Sequence, residues 1–418
     1  MTVPTSPAPG GLRSVDEHLQ QVLSAVHPLG LLELPLLDAY GCVLGHPLVA
    51  SAALPRFDNS SMDGYAVRSA DVARASPEAP VTLPVVGDIA AGSSSGLTVQ
   101  PGLTARIMTG APMPPGADAV VPLEWTDGGL AQVRIARAPD PGAYVRRAGE
   151  DVHAGQQVLP AGTLLGAPQI ALLAALGHPR VAVHPPPRVV VISTGTELVE
   201  PGTPPGPGQV VDANGYALAA AAYEAGAVPY RVGIVADDPR RLTEVIEDHL
   251  IQADVVVTSA GVSVGAYDVV KDVLGRLGDV TFARVAMQPG MPQAFGTIGP
   301  DATPVFGLPG NPVSALVSFE VFVRPALRRM LGAEPLGRPQ VLAAMATAIT
   351  SPPGKRQYVR VRVEHDGSSW VAAPIGGSGS HLLAPMAVAN GLAVVPESVT
   401  AVAAGQTLTT WLLERRTR

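Results

Sequence analysis

Cysteine is almost missing from this chain: Cys42 stands alone, which excludes an internal disulfide framework and any metal site built from several thiolates. Charge is sparse as well. Only 15% of residues are charged, 28 Lys plus Arg against 35 Asp plus Glu, and a net charge of -7 leaves no electrostatic footprint for nucleic acid or an anionic membrane surface. No uncharged apolar run nears the roughly 18 residues of a membrane span, and the start, MTVPTSPAPGG, has no basic segment leading into an apolar one. The sequence contains no HExxH, CxxC, Walker A or complete GxGxxG pattern, so zincin, dithiol-redox, P-loop and dinucleotide readings have no motif. Its nine His residues are scattered and suggest no metal site. These absences point to a cytoplasmic protein with neither a nucleic-acid nor a membrane partner.

Glycine (45) and proline (43) are plentiful instead, and they punctuate apolar segments without any repeat. At 418 residues, with roughly 100 to 200 residues per domain, two to four domains are expected. Ser14 and Glu17 form a capping-box pattern ahead of Val15, Leu19, Val22, Leu23 and Val26, an apolar stripe at helical spacing. From about 80 to 135 the texture changes to short β-rich pieces, VTLPVVG, TARIMTG, ADAVVPL and AQVRIA, as expected of a small inserted β domain. Between 188 and 330, the apolar runs RVVVIS, VPYRVGIV, DVVVTS and PVFGL alternate with helical patterns at about 214 to 226, 239 to 252, 268 to 277 and 313 to 331. That alternation predicts a doubly wound parallel sheet with ligands at the carboxyl ends of its strands. After Pro335 the pattern is β again, with an Asp-Gly hairpin signal in EHDGSS, and predicts a barrel or sandwich.

Three small-residue loops follow strands in the α/β stretch: STGTEL (193 to 198), TSAGVSVGAYD (258 to 268) and GLPGNPVSA (307 to 315). In each the chain is expected to leave a buried strand, turn through glycine and enter a helix, aiming unpaired N–H groups at one crevice fit for an anion. The plainer reading is that glycine merely permits tight turns. GVSVG, residues 261 to 265, also matches the G-x-S-x-G nucleophile elbow. Ser263 as a nucleophile needs an acid and a His downstream, yet His365 and His381 fall in the β-rich C-terminal part. Ser263 as an anion donor is the better fit. Asp237 and Asp238 precede Pro239, so at least one is expected to cap a helix. Asp268, close to Lys271, either caps the next helix or holds a divalent cation against a phosphate. The cluster FDNSSMDGYAVR (57 to 68) reads equally as two successive Asx turns or as a site.

With FDNSSMDGYAVR, RIMTGAPMPPGADAVVPLE, RRAGEDVHAGQQVL, ISTGTELVEPG, SAGVSVGAYDVVK, MQPGMPQAFG and GLPGNPVSA in this order, the chain resembles the MoeA family of molybdopterin molybdotransferases, to which the E domain of gephyrin is also similar. The resemblance spans nearly the whole chain. It implies insertion of molybdate into adenylylated molybdopterin, releasing AMP and giving the molybdenum cofactor, with Mg2+ or another divalent cation. It further implies a homodimer, with the site between the α/β domain of one subunit and the β insertion of the other, and a molybdopterin adenylyltransferase as a docking partner. The implied architecture is an elongated linker and dimerisation domain (12 to 55 and 138 to 184), a small β-rich inserted domain (56 to 137), a doubly wound α/β molybdopterin-binding domain of MoaB/MogA type (185 to 333), and a C-terminal β barrel (334 to 418).

Carried over by motif, Asp63, Glu197, Asp237 and Asp268 are the catalytic carboxylates, and Asp63, Glu197 and Asp268 the cation ligands. The substrate contacts implied in the same way are Thr109 of RIMTG, Asp151 of RRAGED, Ser193, Thr194 and Gly195 of STGTEL, and Gly261 and Ser263 of GVSVG. To these the resemblance adds Lys271, Arg284, Gln288, the LPGNP residues Pro309, Gly310, Asn311 and Pro312, and Ser380 of GSGSH. Two departures stand out. Relatives usually carry lysines where this chain has Gln288 and Met291, with Arg284 keeping one charge nearby; each lost charge-assisted bond should weaken oxyanion binding by about 1 to 3 kcal/mol. Many relatives also have Asp in place of Thr196, though Glu197 remains. The alternatives are a non-catalytic molybdopterin-binding scaffold and a serine hydrolase using GVSVG.

Overall fold

The computed structural model describes residues 11–92, 96–259 and 269–413, in two compact units. One comprises His46–Ala161 with Ala167–Arg180; the other comprises the described residues up to Gly45, Gly162–Gly166 and those from Val181 onward.

The larger unit is organised by a six-stranded sheet in the order Val228–Val235, Arg188–Thr194, Val255–Ser259, Thr303–Leu308, Pro292–Ile298, Gly278–Arg284. The first four strands are parallel; the apolar runs of Arg188–Thr194, Val255–Ser259 and Thr303–Leu308 are almost wholly buried, whereas the edge strand Val228–Val235 is largely half-exposed. Alternate residues divide between two cores. Val189, Val191, Val255 and Val257 pack against Leu218, Ala222, Phe319 and Phe322, while Val190, Ile192 and Val256 pack against Leu242, Ile246, Val270 and Leu274. Helices therefore cover both faces, the expected doubly wound arrangement. The last two strands pair antiparallel with each other, and one of them pairs antiparallel with Thr303–Leu308. They were not legible as apolar runs.

Along the chain, the strand Arg188–Thr194 is followed by its neighbour on one side, Val228–Val235, and then by its neighbour on the other, Val255–Ser259. The order thus reverses around the first strand, and a crevice opens at the carboxyl ends of Arg188–Thr194 and Val255–Ser259, where open α/β sheets bind ligands. The STGTEL loop leaves one of these strands at that crevice.

The first helix, Val15–Ala25, has the full capping box: Glu17 N–H donates to Ser14 Oγ (3.1 Å), and Ser14 N–H donates to Glu17 Oε2 (2.9 Å). Its buried face carries His18, edge-on to Phe322 at 4.7 Å. The long helical pattern near 313 to 331 is Pro312–Ser318, a π turn at Phe319–Val323, and Arg324–Met330. Arg338, on the way to the next domain, is buried and donates to Glu320 in that π turn (2.7 and 2.9 Å) and to Glu224 (3.0 Å).

The C-terminal part closes a five-stranded barrel. Arg356–His365 pairs with Trp370–Pro374, which pairs with Gln340–Met345, then Thr407–Leu412, then Gly391–Val395, which returns to Arg356–His365. Closure leaves no open sheet edge. The Asp-Gly hairpin signal falls where expected, between His365 and Trp370. A two-residue strand from the α/β part, Met287–Gln288, adds to the barrel in parallel beside Arg356 and Gln357.

The smaller unit holds a five-stranded sheet in the order Ala119–Pro122, Gly64–Val67, Thr104–Ile107, Val81–Ile89, Gln132–Ile135. Four of these were predicted. The fifth, Gly64–Val67, lies between two others and is wholly buried, so the tail of FDNSSMDGYAVR is core strand.

Candidate active site

At the crevice, Ser193 and Thr194 are the last residues of a buried strand. Gly195 follows at φ 151°, and a Cβ there would lie 2.5 Å from Glu197 Oε2, so only glycine lets the Glu197 carboxylate fold back over the turn. Contrary to expectation, no helix begins here: the chain turns into a short strand, Leu198–Val199, paired with Val210–Val211, and the helix starts only at Asn214. The loop's amides are also largely committed. Gly195 N–H donates to the carbonyl of Val235 (3.2 Å), Leu198 N–H to that of Gly195 (3.3 Å), and Thr196 N–H to Asp237 Oδ2 (3.2 Å). The last bond resolves the Asp237–Asp238 pair: Asp238 caps the helix Pro239–Leu250 by accepting from Arg241 N–H (2.8 Å), which leaves Asp237 turned toward the STGTEL loop. Glu197 and Asp237 therefore both flank residues 195 and 196, as two exposed carboxylates at one rim.

The LPGNP loop does pass from strand to helix, with Asn311 as N-cap and Pro312 in the first turn. It is held from two sides. Asn214 Nδ2 donates to the Gly310 carbonyl (2.7 Å) and to Ser259 Oγ (2.9 Å), tying this loop to the end of the neighbouring strand. Val313 N–H donates to the carbonyl of Ser380 (3.1 Å), so the barrel loop GSGSH occupies one helix-start donor. Pro309 is buried and Pro312 half-buried, consistent with a fixed loop.

Behind the Asn214 helix start, Arg231 bridges Asp212 (2.9 Å) and Glu200 (2.7 Å) and stacks on Tyr216 at 4.1 Å. Asp212 Oδ1 also accepts from Gly215 N–H (3.0 Å). Neither Asn214 nor this cluster was singled out from sequence. The available cue was the run Asp-Ala-Asn-Gly (212 to 215), polar helix-start residues directly before an apolar pattern.

The MQPGMP segment turns at Gly290 (φ 102°), where a Cβ would meet Ser318 Oγ at 2.6 Å. Gln293, almost fully buried, fixes the turn by donating to the Gly290 carbonyl and Ser318 Oγ (both 2.6 Å). Arg284 is exposed and reaches Met291 Sδ at 3.7 Å, which brings its guanidinium to one of the two positions where a lysine was expected. Gln288 points elsewhere, into a cavity of about 580 Å³ at the mouth of the barrel, together with Gln357, Arg360, Ser378 and Val313. Arg360 is buried and donates to the carbonyls of Gly377, Gly379 (3.1 Å) and Leu382 (3.3 Å), so it shapes the loop that carries Ser380. Lys271 extends over the Phe282 ring (5.6 Å) on the edge strand Gly278–Arg284.

In the smaller unit, Asp63 Oδ1 accepts from Thr109 N–H (2.7 Å) and Thr109 Oγ1 (2.9 Å), and these bonds, the amide first, hold its pKa below the usual carboxylate range. Asp63 is thus an exposed, ionised carboxylate set in one orientation. Asp58 has a different task. It accepts from Ala148 N–H and Arg147 (both 2.7 Å) and pins the RRAGED segment to the turn. Ser60 Oγ donates to the Met62 carbonyl (2.6 Å), a local turn bond. The two successive Asx turns expected of FDNSSMDGYAVR are not formed: Asn59–Ser60 is a short strand paired with Val145–Arg146, Ser60 makes the local turn bond at Met62, and Asp63 is a presented carboxylate. Asp151 is exposed, and its N–H donates to the carbonyl of Leu54 (3.0 Å). Gly261, Ser263 and Asp268 lie outside the described residues. Among the described residues, no helix is long and apolar enough to cross a membrane.

A doubly wound domain with a carboxylate-flanked switch point, continued by a closed barrel and joined to a β-rich unit, defines a class of multidomain α/β protein. The chain's family follows from comparison with known sequences. Residues 13–177 match the MoeA N-terminal region (domain I and II), residues 190–329 a probable molybdopterin binding domain, and residues 343–413 the MoeA C-terminal region (domain IV). The chain is 47% identical over 406 residues to molybdopterin molybdenumtransferase 2 of Mycobacterium tuberculosis, covering 96% of this chain and 99% of the relative. It is 33% identical to the molybdopterin molybdenumtransferase of Bacillus subtilis, covering 90% and 88%. Its fold is similar to the crystal structure of the molybdopterin biosynthesis MoeA protein from Pyrococcus horikosii, with a TM-score of 0.81, 34% identity, and coverage of 97% of this chain and 100% of that one. The chain belongs to the MoeA family.

Proposed function

We propose that this protein is a molybdopterin molybdotransferase, which inserts molybdate into adenylylated molybdopterin and releases AMP, the last step in forming the molybdenum cofactor. The observation that carries this reading is the rim at the switch point. Glu197 and Asp237 flank the STGTEL turn there, and Asn214 locks the LPGNP loop to the adjacent strand end, in a chain that aligns almost end to end with named transferases.

Adenylylated molybdopterin joins a pterin and a dithiolene to AMP through a phosphoanhydride, so the site must hold two linked phosphates and a tetrahedral oxoanion near the sulfurs. No group of three or more His, Cys, Asp or Glu able to enclose a metal ion occurs among the described residues. Two carboxylates on one rim suit Mg2+ that takes its remaining ligands from substrate phosphates and water. Glu197 and Asp237 would hold the cation, with Asp268 added by motif, and it would neutralise charge on the phosphoanhydride. In this reading Glu197 and Asp237 would also move protons as oxo groups leave molybdate. Asn214 and Arg360 hold the neighbouring LPGNP and GSGSH loops in place.

Asp63, oriented by Thr109, completes the site in this reading as the carboxylate that the β-rich unit contributes within a homodimer. The four-part division of the chain at about residues 56, 138, 185 and 334, a cytoplasmic location and docking of an adenylyltransferase that supplies the substrate belong to the same proposal. Incubation of the purified protein with adenylylated molybdopterin, molybdate and Mg2+ should release AMP in step with cofactor formation. No release above a protein-free blank would overturn the proposal. Binding of the substrate without turnover would favour the scaffold alternative.

A further inference from the structure

We propose that Arg231 is a positioning residue for the transferase site: it braces the loop that carries Glu197 against the helix start that carries Asn214, so that the Glu197 carboxylate and the LPGNP clamp keep one spacing. The inference rests on the transferase reading above and adds a part of its machinery that touches no substrate. Val191 packs against Leu218 and Ala222, on the face covered by the helix Asn214–Glu224. Arg231 is the register partner of Val191 on the edge strand Val228–Val235, so its side chain rises on that same face. Just beyond it the register slips by one residue, leaving Val232 unopposed, and Gly233 follows at φ 100°. A bulge of this kind bends the strand and re-aims side chains beside a site.

One atom makes the bridge. Arg231 Nη2 donates both to Glu200 Oε1 (2.7 Å) and to Asp212 Oδ2 (2.9 Å). Glu200 closes the short segment that starts at Glu197, whose strand Leu198–Val199 pairs with Val210–Val211 and whose Glu197 carbonyl accepts from Val210 N–H (2.9 Å). Asp212 follows that partner strand, and its other oxygen accepts from Gly215 N–H at the helix start (3.0 Å). The two acceptors carry different weights. The Asp212 side chain is 1% exposed, so its charge depends on the paired cation, whereas Glu200 is 42% exposed and an ion pair there contributes little by itself. Asp212 therefore anchors the guanidinium and Glu200 docks on it. Tyr216 supports the docking twice, stacking under the guanidinium at 4.1 Å and donating from Oη to Glu200 Oε2 (3.1 Å). Gly215 leaves room for the closure: a Cβ there would lie 2.6 Å from both Ser193 Oγ and Asp212 Oδ2 and 2.8 Å from Arg231 Nε. It lies in the first turn of a helix, so the demand is for space and not for an unusual backbone.

The test combines AMP-release kinetics with amide hydrogen exchange on the full-length protein. Arg231→Gln should lower kcat about tenfold and change KM for adenylylated molybdopterin by less than about twofold, because a displaced Glu197 is felt at the reacting atoms. Amide exchange should quicken together at Val210, Asp212 and Gly215, on both sides of the bridge. Arg231→Lys should recover most of the loss, since both bonds leave one nitrogen and an ammonium offers three donors. Glu200→Ala should lower kcat about three- to fivefold with its thermal midpoint nearly unchanged, and should add nothing to Arg231→Gln in the double variant. It leaves Asp212 paired, so it decides the question even where Arg231→Gln fails to fold. Gly215→Ala should also slow turnover, although alanine is the better helix former. Unchanged kcat in Glu200→Ala, additive losses in the double variant, or equal losses in Arg231→Lys and Arg231→Gln would each overturn the brace. Exchange separates the two claims: linked exchange of both segments in a protein whose wild type releases no AMP defeats the transferase reading alone, whereas wild-type turnover that Glu200→Ala leaves untouched defeats the brace alone.

Discussion

Asn214 offers the sharpest test of how the rim is held. Its Nδ2 donates to the Gly310 carbonyl at 2.7 Å and Ser259 Oγ at 2.9 Å, and the residue is 8% exposed. Asn214→Ala removes both bonds and leaves the Gly310 carbonyl without that donor. At about 1 kcal/mol net per bond, and more where a buried group is left unsatisfied, the loss should be about 2 to 4 kcal/mol. Asn214→Asp keeps the shape and changes only the chemistry. With no donor, an ionised carboxylate faces a carbonyl oxygen in a buried place, and the cost should exceed that of alanine, reaching about 3 to 5 kcal/mol.

The two variants also differ in pH dependence. Burial and the facing carbonyl raise the folded-state pKa of an aspartate at position 214 above its unfolded value of about 3.9. Its destabilising effect is therefore complete above that raised pKa, and fades as pH falls through it, because the protonated acid regains one donor. Thermal unfolding between pH 5 and 8 should show Asn214→Asp recovering toward Asn214→Ala as the buffer is acidified, while the alanine variant runs parallel to wild type. AMP release should fall about 100-fold in either variant at neutral pH, the usual cost of displacing a positioned loop by about 1 Å. An aspartate variant as stable and active as wild type at pH 8 would refute the clamp.

Asp63→Asn should suppress AMP release by a factor of roughly 100 or more with its thermal midpoint nearly unchanged, because an amide oxygen can still accept from Thr109 and the residue is exposed; a large fall in midpoint would instead make Asp63 structural. Met291→Lys should lower the KM for molybdate several-fold and steepen its salt dependence, less than a full charge-assisted bond would give, because Arg284 lies 3.7 Å from the Met291 sulfur and repels the new cation. His18 is held neutral by burial, assisted by Arg13, and titrates at about 4 against an ordinary 6.5. Its neutral form is favoured by folding, so this contribution is complete above pH 6.5 and lost as pH falls toward 4, about 3 kcal/mol in all. His18→Leu should flatten that acid limb in denaturant titrations, and an unchanged limb would assign it to other groups.

Local patterns explain what could be read in advance. A capping box is complete within four residues, and buried parallel strands announce themselves as apolar runs, so Ser14, Glu17 and the four parallel strands were legible. The buried strand Gly64–Val67 was not, because two small residues in four and the preceding turn cluster mask its pattern. The strands Gly278–Arg284 and Pro292–Ile298 mix polar and apolar residues and begin with glycine and proline. Partnerships are harder still. Asp58 meets Arg147 across 89 positions of sequence, and Asn214 meets Gly310 across 96; no spacing encodes either, and only the folded chain brings them together.

The same long-range pairings change the account of anion binding. Glycine loops at a sheet rim suggested a cradle of free amides, yet Gly195 N–H is taken by Val235, Thr196 N–H by Asp237 and Val313 N–H by Ser380. Among the described residues, then, the STGTEL amides serve chiefly to fix the loop and to orient a carboxylate. A rim that uses its donors in this way presents negative charge, and a phosphoanhydride can settle on it only with a cation between them. In the proposed reaction, divalent-cation dependence would follow from this hydrogen-bond pattern, and Asp237 would have a reason to be an aspartate separate from the capping task its neighbour performs.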